Sequence, residues 1–207
     1  MSAASFTAGL LAPSGLGGGL ARLLRRRLPP GRRLLGRGTP ANEAGIASIG
    51  PVELRRTRAA YVLRTVVKGE HDAALHTALQ RLADYARGYN HPGLPVRVAR
   101  PVVQLPGAPG TWLVRIGLPG VYAATAAPTP RSGKVRIMAQ PSETLAIIRL
   151  SGHPEPQVFA QGEAAIMAAL AGSAWVPAGP VMLRLHTPLG VLPWSGGFEV
   201  AVAVTEA

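Results

Sequence analysis

The stretch VELRRTRAAYVLRTVVKG, residues 52–69, decides the fold, because VRIMAQPSETLAIIRLSG, residues 135–152, repeats its plan without insertion or deletion. In both copies a short alternating segment precedes a longer β-rich run, then a glycine, then a helical pattern. One supersecondary unit is therefore predicted to occur twice. Two such units can close around a shared core, and a cleft between halves is a frequent place for ligands.

Working outward from these copies, apolar and polar residues alternate in further segments that are typical of strands. Strands are predicted at residues 52–55, 60–68, 96–104, 112–118, 135–138, 144–150, 181–185 and 198–204. Helical periodicity predicts one helix per half, from Asp72 to Gly88 and from Pro154 to Gly172. This order predicts an α+β fold: two βαββ-like pseudo-repeats forming a twisted antiparallel sheet or distorted barrel flanked by two helices.

The positive charge of the chain is concentrated at its start. The net charge is +12 over 207 residues, yet no acidic residue precedes Glu43, whereas seven arginines do. Residues 1–42 are predicted to be a basic leader, either a mitochondrial targeting segment or a disordered tail of a cytoplasmic protein, and residues 43–207 the folded domain. Because the charge mainly describes the leader, no nucleic-acid surface is predicted. No membrane span is predicted in the leader, because Pro13 and the glycines at 15 and 17–19 interrupt a stretch too short to cross a bilayer.

Several kinds of catalytic and metal site have no support in the sequence. Cysteine is absent, which excludes disulfides, thiolate metal sites and cysteine nucleophiles. His71 and His76 are five residues apart and so lie on different sides of a helix, unlike paired metal ligands. The acidic residues show no spacing that suggests general acid–base partners. No enzyme is predicted; Glu199, on a sheet face, is expected to hold an arginine or bind a cation.

Several short motifs occur in one order along the chain. They are Tyr85-Ala86-Arg87-Gly88-Tyr89-Asn90, Pro101-Val102, Leu118-Pro119 and Glu199-Val200. In this order they resemble motifs of the SOUL heme-binding proteins, namely Tyr-Ile-x-Gly-x-Asn, Met-Thr-Ala-Pro-Val, a Leu-Pro pair and Asn-Glu-Val. The resemblance extends from about Pro51 to Val204 and implies noncovalent binding of heme or a related tetrapyrrole, as a carrier or buffer.

Two departures from the family pattern leave other functions open. Val98-Ala99-Arg100 stands in place of Met-Thr-Ala, and Ser195-Gly196-Gly197-Phe198 in place of the Arg-Arg-Asn before the glutamate. A structural or interaction subunit of an organellar assembly, with a degenerate pocket and protein partners, is the alternative. A third hypothesis is a multidrug-sensing effector domain of a similarly duplicated fold, which would bind hydrophobic cations.

Tetrapyrrole binding needs a broad apolar surface for the macrocycle and cationic donors for its carboxylates. The predicted apolar slot consists of Leu75, Leu79, Leu82, Tyr85 and Trp112, and its predicted cationic rim of Arg55, Arg64, Arg97 and Arg100. His76, beside the leucine stripe, is the predicted axial ligand of a heme iron. The alternative interpretation makes the leucines ordinary core and the arginines a solvated sheet face.

Overall fold

Residues 52–69 and 135–152 each place their first strand beside the second strand of the other segment. The computed structural model describes residues 42–122, 126–187 and 197–207, which belong to the compact unit Thr39–Ala207. The predicted leader, residues 1–42, lies outside the described residues except for Asn42, so its role stays a prediction. In the described part of the chain, no helix is long and apolar enough to cross a membrane.

The described residues form eleven strands and two helices. They are β1 (Glu43–Ile49), β2 (Val52–Thr57), β3 (Ala60–Lys68), α1 (His71–Ala86), β4 (Asn90–His91), β5 (Ala99–Pro106), β6 (Thr111–Gly117), β7 (Thr129–Pro130), β8 (Val135–Gln140), β9 (Thr144–Leu150), α2 (Pro156–Leu170), β10 (Trp175–Leu185) and β11 (Phe198–Glu206). β1 is absent from the sequence-based expectation, because its Ala, Gly and Ser residues are weak strand formers. It is an edge strand paired only with β2.

Nine strands form one antiparallel sheet in the order β1-β2-β9-β11-β10-β5-β6-β3-β8, and β4 pairs with β7 separately. In chain order, β2, β3, β5 and β6 of the first half correspond to β8, β9, β10 and β11 of the second half. From β2 to β8, each strand lies as far from one end of the sheet as its counterpart lies from the other end. The predicted fold class is confirmed as a twisted antiparallel sheet with two helices. The sheet does not close into a barrel.

Both helices pack on one face of the sheet. Leu75 and Leu82 of α1, and Ile166 and Leu170 of α2, share one buried core with the strand residues that point toward them. α2 approaches closely at Gly162, where a Cβ atom would come within 2.9 Å of side chains on β9 and β11. The opposite face has no helix and carries a smaller cluster of Val103, Leu145, Ile147, Met182 and Ala201. We call it the helix-free face.

Two short links force the sheet to curl. β2 and β3 are six strand positions apart in the sheet, which is roughly 29 Å if it were flat. The chain from Thr57 to Ala60 can span at most about 11 Å. β8 and β9, also six positions apart, are joined by only three residues, 141–143. The ends of the sheet therefore bend toward each other, and the helix-free face becomes the inner, concave surface where the two halves meet.

Candidate functional site

The predicted apolar residues come together, but inside the helix–sheet layer. Leu75, Leu82 and Tyr85 are buried, while Leu79 and Trp112 are half-buried against the same core. The Tyr85 hydroxyl donates to the carbonyl of Pro128 at 2.7 Å, and burial raises the pKa of Tyr85. These side chains fill the space between α1 and the sheet, so they do not line an open slot.

His76 lies on the outer side of α1. Its side chain is exposed, and its Nε2 atom is 3.1 Å from Nε2 of Gln80 one turn later. The buried stripe of the helix faces the sheet, away from His76. Iron ligation by His76 would thus require a ligand on the outer helix surface, away from the buried leucine stripe.

The four arginines of the predicted cationic rim do not lie together around the apolar residues. Leu54 and Leu63 point toward the helices, so their neighbours Arg55 and Arg64 point to the helix-free face because side chains alternate along a strand. The sheet separates these two arginines from the apolar set. Arg97 is exposed in the segment before β5, and Arg100 donates to the carbonyl of His186 at 2.8 Å.

The family-like motif after α1 has a structural role. Gly88 has a φ of +112°, a conformation that favours glycine, and it lies just past the end of the helix. Asn90 is fully buried: its Nδ2 donates to the carbonyls of Tyr85 and Leu94, and its Oδ1 accepts from the backbone N–H groups of Gly93 and Leu94. The motif ties the chain after α1 back to the helix.

One row of side chains crosses seven strands of the helix-free face in register. Its members, which we call the arginine row, are Arg149, Glu199, Arg184, Val103, Arg115, Arg64 and Arg136. Each is opposite the next on the neighbouring strand, where Cβ atoms are about 5 Å apart. Five of the seven members are therefore arginines on one surface.

The two ends of the arginine row differ in charge balance. At one end Glu199 lies between Arg149 and Arg184. At the other end Arg115, Arg64 and Arg136 are consecutive, and Arg115 alone has an acidic partner, Glu143, at 2.8 Å. In the described ranges Arg64 and Arg136 form no ion pair with a carboxylate. Directly opposed like charges are unfavourable in a sheet, so this end is a surface suited to anions.

An apolar row lies next to these unpaired arginines. Val66 is opposite Leu113, and Leu113 is opposite Leu105, on the same face as the arginine row and two residues further along each strand. Two residues along a strand is about 6.7 Å. Val66 is 47% exposed, and Leu105 and Leu113 are half-buried. Apolar side chains and unpaired guanidinium groups thus lie side by side on an open surface about 10 Å wide across three strands.

Glu199 is the centre of a buried ion cluster at the other end of the arginine row. Its Oε1 accepts from Arg55 and Arg149 at 2.9 Å each, and its Oε2 accepts from Arg184 at 2.8 Å. Nε2 of His186 lies 2.8 Å from Oε2. The expectation that Glu199 holds an arginine is confirmed, and it holds three.

Two further carboxylates complete this cluster. Glu43 on β1 accepts from Arg184, and Glu53 accepts from Arg55 Nε at 2.9 Å. Burial alone would raise the pKa of Glu199, but the contact with His186 and the charges of Arg184 and Arg55 outweigh burial and hold the pKa well below its usual range. Glu199 is a carboxylate that is neutralised from within the chain.

The ion cluster and the arginine row were only partly predictable. The sequence indicates site roles for Arg55 and Glu199 separately, and none for Arg115, Arg136 and Arg184. The sequence pattern that indicates these arginines is strand alternation. Each arginine has neighbours on its strand that point to the opposite, apolar face of the sheet. Their register depends on which strands pair, and the pairing strands are far apart in the chain.

Comparisons with known proteins fit this fold. Residues 45–186 match the family model described as SOUL heme-binding protein. The comparison with curated proteins gives no match. The chain is similar to the crystal structure of the EcmrR C-terminal domain, with a TM-score of 0.57, 8% identity, and coverage of 75% of this chain and 98% of that one.

Two further solved structures have similar folds. EcmrR in its DNA complex gives a TM-score of 0.56 at 8% identity, over 75% of this chain and 57% of that one, so the chain spans just over half the length of that protein. A hydrolase from Listeria innocua gives a TM-score of 0.55 at 10% identity, over 74% and 91% of the two chains. At such identities these likenesses show the fold alone.

Proposed function

The chain belongs to the SOUL heme-binding protein family, and from that premise we propose that it binds heme or a related tetrapyrrole reversibly and noncovalently, as a carrier or buffer. The observation that carries the proposal is the partly exposed apolar row of Val66, Leu113 and Leu105 beside Arg64 and Arg136. A flat macrocycle can cover the apolar row, and its carboxylates can reach the unpaired guanidinium groups.

The side chains of this surface can hold a tetrapyrrole by its carboxylates and by its flat apolar face. β3, β5, β6 and β8 carry no histidine. Among the described residues, no group of three metal-ligating side chains occurs. Binding on these strands therefore depends on apolar contact and charge, and we expect iron-free protoporphyrin to bind as well as hemin. No catalytic step is proposed.

Titration of the full chain with hemin and with protoporphyrin tests this function. Both should give a saturable change in the Soret band and in tryptophan fluorescence at micromolar ligand. Unchanged absorbance and unchanged fluorescence with both ligands would rule out tetrapyrrole binding.

A structural or interaction subunit is the second candidate function, and one observation favours it. The cavity between the two halves is about 60 Å³, whereas pockets that enclose drug-sized ligands measure roughly 300–1,000 Å³. Absence of a Soret change together with a stoichiometric protein partner in native purification would support this candidate. The hydrophobic-cation hypothesis is weakened because the buried carboxylate Glu199 already contacts three arginines.

We also propose that residues 1–42 direct the chain to mitochondria. The absence of acidic residues before Glu43 and the clustered arginines support this role. Imaging of the full chain and of a variant lacking residues 1–42, each fused to a fluorescent protein at its C-terminus, tests it. Equal distribution of both fusions in the cytoplasm would contradict it.

A further inference from the structure

A small cavity lies on the helix-free face where the two halves meet. Thr57 and Leu145 line it from β2 and β9, and Val62 and Gln140 line it from β3 and β8 at the opposite end of the curled sheet. At about 60 Å³ it can hold several waters or a small polyatomic ion, but not a macrocycle.

The lining of this cavity is predominantly cationic. Four arginines line it, Arg58, Arg100, Arg115 and Arg184, against two glutamates, Glu43 and Glu143. Both glutamates are already engaged: Glu43 accepts from Arg184, and Glu143 accepts from Arg115 at 2.8 Å. Arg58 forms no ion pair with any described residue. Surplus positive charge and free donors therefore remain at the cavity.

Arg184 lines the cavity as a member of the buried ion cluster. Its side chain is 2% exposed, and its two terminal nitrogens donate to Glu199 and Glu43. Its Nε atom is buried and has no hydrogen-bond partner in the protein. Because that atom is not accessible from the cavity, the free donors of the lining are those of the exposed Arg58 and Arg100.

We propose that this cavity binds a small oxyanion, either a carboxylate or a phosphate. Arginine recognises both groups through pairs of N–H donors, and the surplus positive charge favours an anion over a neutral water. The oxyanion can be free in solution or can be a carboxylate arm of a bound tetrapyrrole, since Arg115 belongs both to the arginine row and to the cavity lining.

Thermal unfolding of the full chain tests the site directly, with chloride replaced by inorganic phosphate or acetate at constant ionic strength. A ligand that binds only the folded chain raises Tm in a saturable way, whereas a general salt effect does not saturate. We expect a saturable rise in at least one of the two anions. No saturable rise in either anion would overturn the proposal, and would show that the cavity holds water only.

Three variants locate the effect. Arg58 and Arg100 are exposed residues of the cavity lining, so Arg58→Gln and Arg100→Gln should fold normally and each removes one set of guanidinium donors. Each should need about tenfold more phosphate for the same rise in Tm. Arg97→Gln, an exposed arginine outside the cavity, should follow the wild type. If Arg58→Gln and Arg100→Gln both respond like the wild type, the site is not this cavity.

Saturation with protoporphyrin identifies the source of the oxyanion. If the phosphate response disappears in the porphyrin-loaded chain, a carboxylate of the ligand occupies the cavity; if the response persists, the cavity binds a free anion. Either result supports an oxyanion site. Because the phosphate experiment needs no tetrapyrrole, failure of porphyrin binding leaves it interpretable.

Discussion

Arg55 and Glu199 are 144 positions apart in the chain, yet Arg55 Nη1 donates a 2.9 Å hydrogen bond to Glu199 Oε1, and both side chains are almost fully buried. Arg55 belongs to the first copy of the repeated plan and Glu199 to the last strand of the second half. Their contact joins the two halves on the helix-free face.

Removal of the carboxylate should strongly destabilise the fold. Glu199→Gln leaves the buried Arg55 and Arg184 with only Glu53 and Glu43 as charge partners, and breaking a buried ion pair in this way costs roughly 3–5 kcal/mol. Urea denaturation measures the change in the free energy of unfolding. Glu206→Gln, at the exposed end of the same strand, should change it by less than about 0.5 kcal/mol. Equal stability of the two variants would show that the cluster does not hold the halves together.

The stabilisation of the fold by Glu199 should decrease as the pH falls. Its pKa is lowered in the folded chain from the ordinary value of 4.5, so the stabilisation is complete above that pH and is lost as the pH falls below it. The difference in unfolding free energy between wild type and Glu199→Gln should be roughly 2 kcal/mol smaller at pH 3 than at pH 7. Urea denaturation of both chains at both pH values measures it, and a constant difference would contradict the lowered pKa.

The unpaired arginines should select tetrapyrroles with free carboxylates. Arg64→Ala and Arg136→Ala should each lower the affinity for protoporphyrin about tenfold, because each removes a charged donor. Protoporphyrin dimethyl ester has no free carboxylate and should bind the wild type more weakly. Neither substitution should change the affinity for this ester. Arg97→Ala is the matched control and should behave like the wild type. Fluorescence titration gives all the affinities; equal binding of acid and ester would argue against this surface.

His76 should have no part in binding. It lies on the outer side of α1, and the sheet separates that helix from the arginine row. The Soret spectrum of hemin bound to His76→Ala should therefore match that of the wild type. A shifted or absent Soret band would place the ligand against α1, as the leucine stripe suggests from sequence alone.

Much of the fold was predictable because local patterns specify it. The predicted bounds of residues 60–68 and 144–150 coincide with β3 and β9, where β-branched residues alternate between two faces. β10 begins at Trp175, six residues before its predicted start, since Pro177 and Pro180 mask a strand whose pairing with β11 is irregular there.

The candidate site was much less predictable. The leucine stripe of α1 was placed correctly on a helix, but periodicity does not distinguish a core-facing stripe from a ligand slot, and here the stripe faces the sheet. The arginine row depends on seven strands that come from both halves in nonsequential order. Only the register shows that Arg64 lies between Arg115 and Arg136.

The most direct test of tetrapyrrole binding on the helix-free face compares the hemin affinity of two variants, each altered at one exposed apolar residue. Val66 is 47% exposed beside the arginine row, and Ile46 is 44% exposed on β1 at the other edge of the sheet. Val66→Asp should weaken hemin binding at least about tenfold, because it removes apolar contact and adds a charge that repels the carboxylates, while Ile46→Asp should bind like the wild type. Equal hemin affinity of the two variants and the wild type would contradict a tetrapyrrole site on this face.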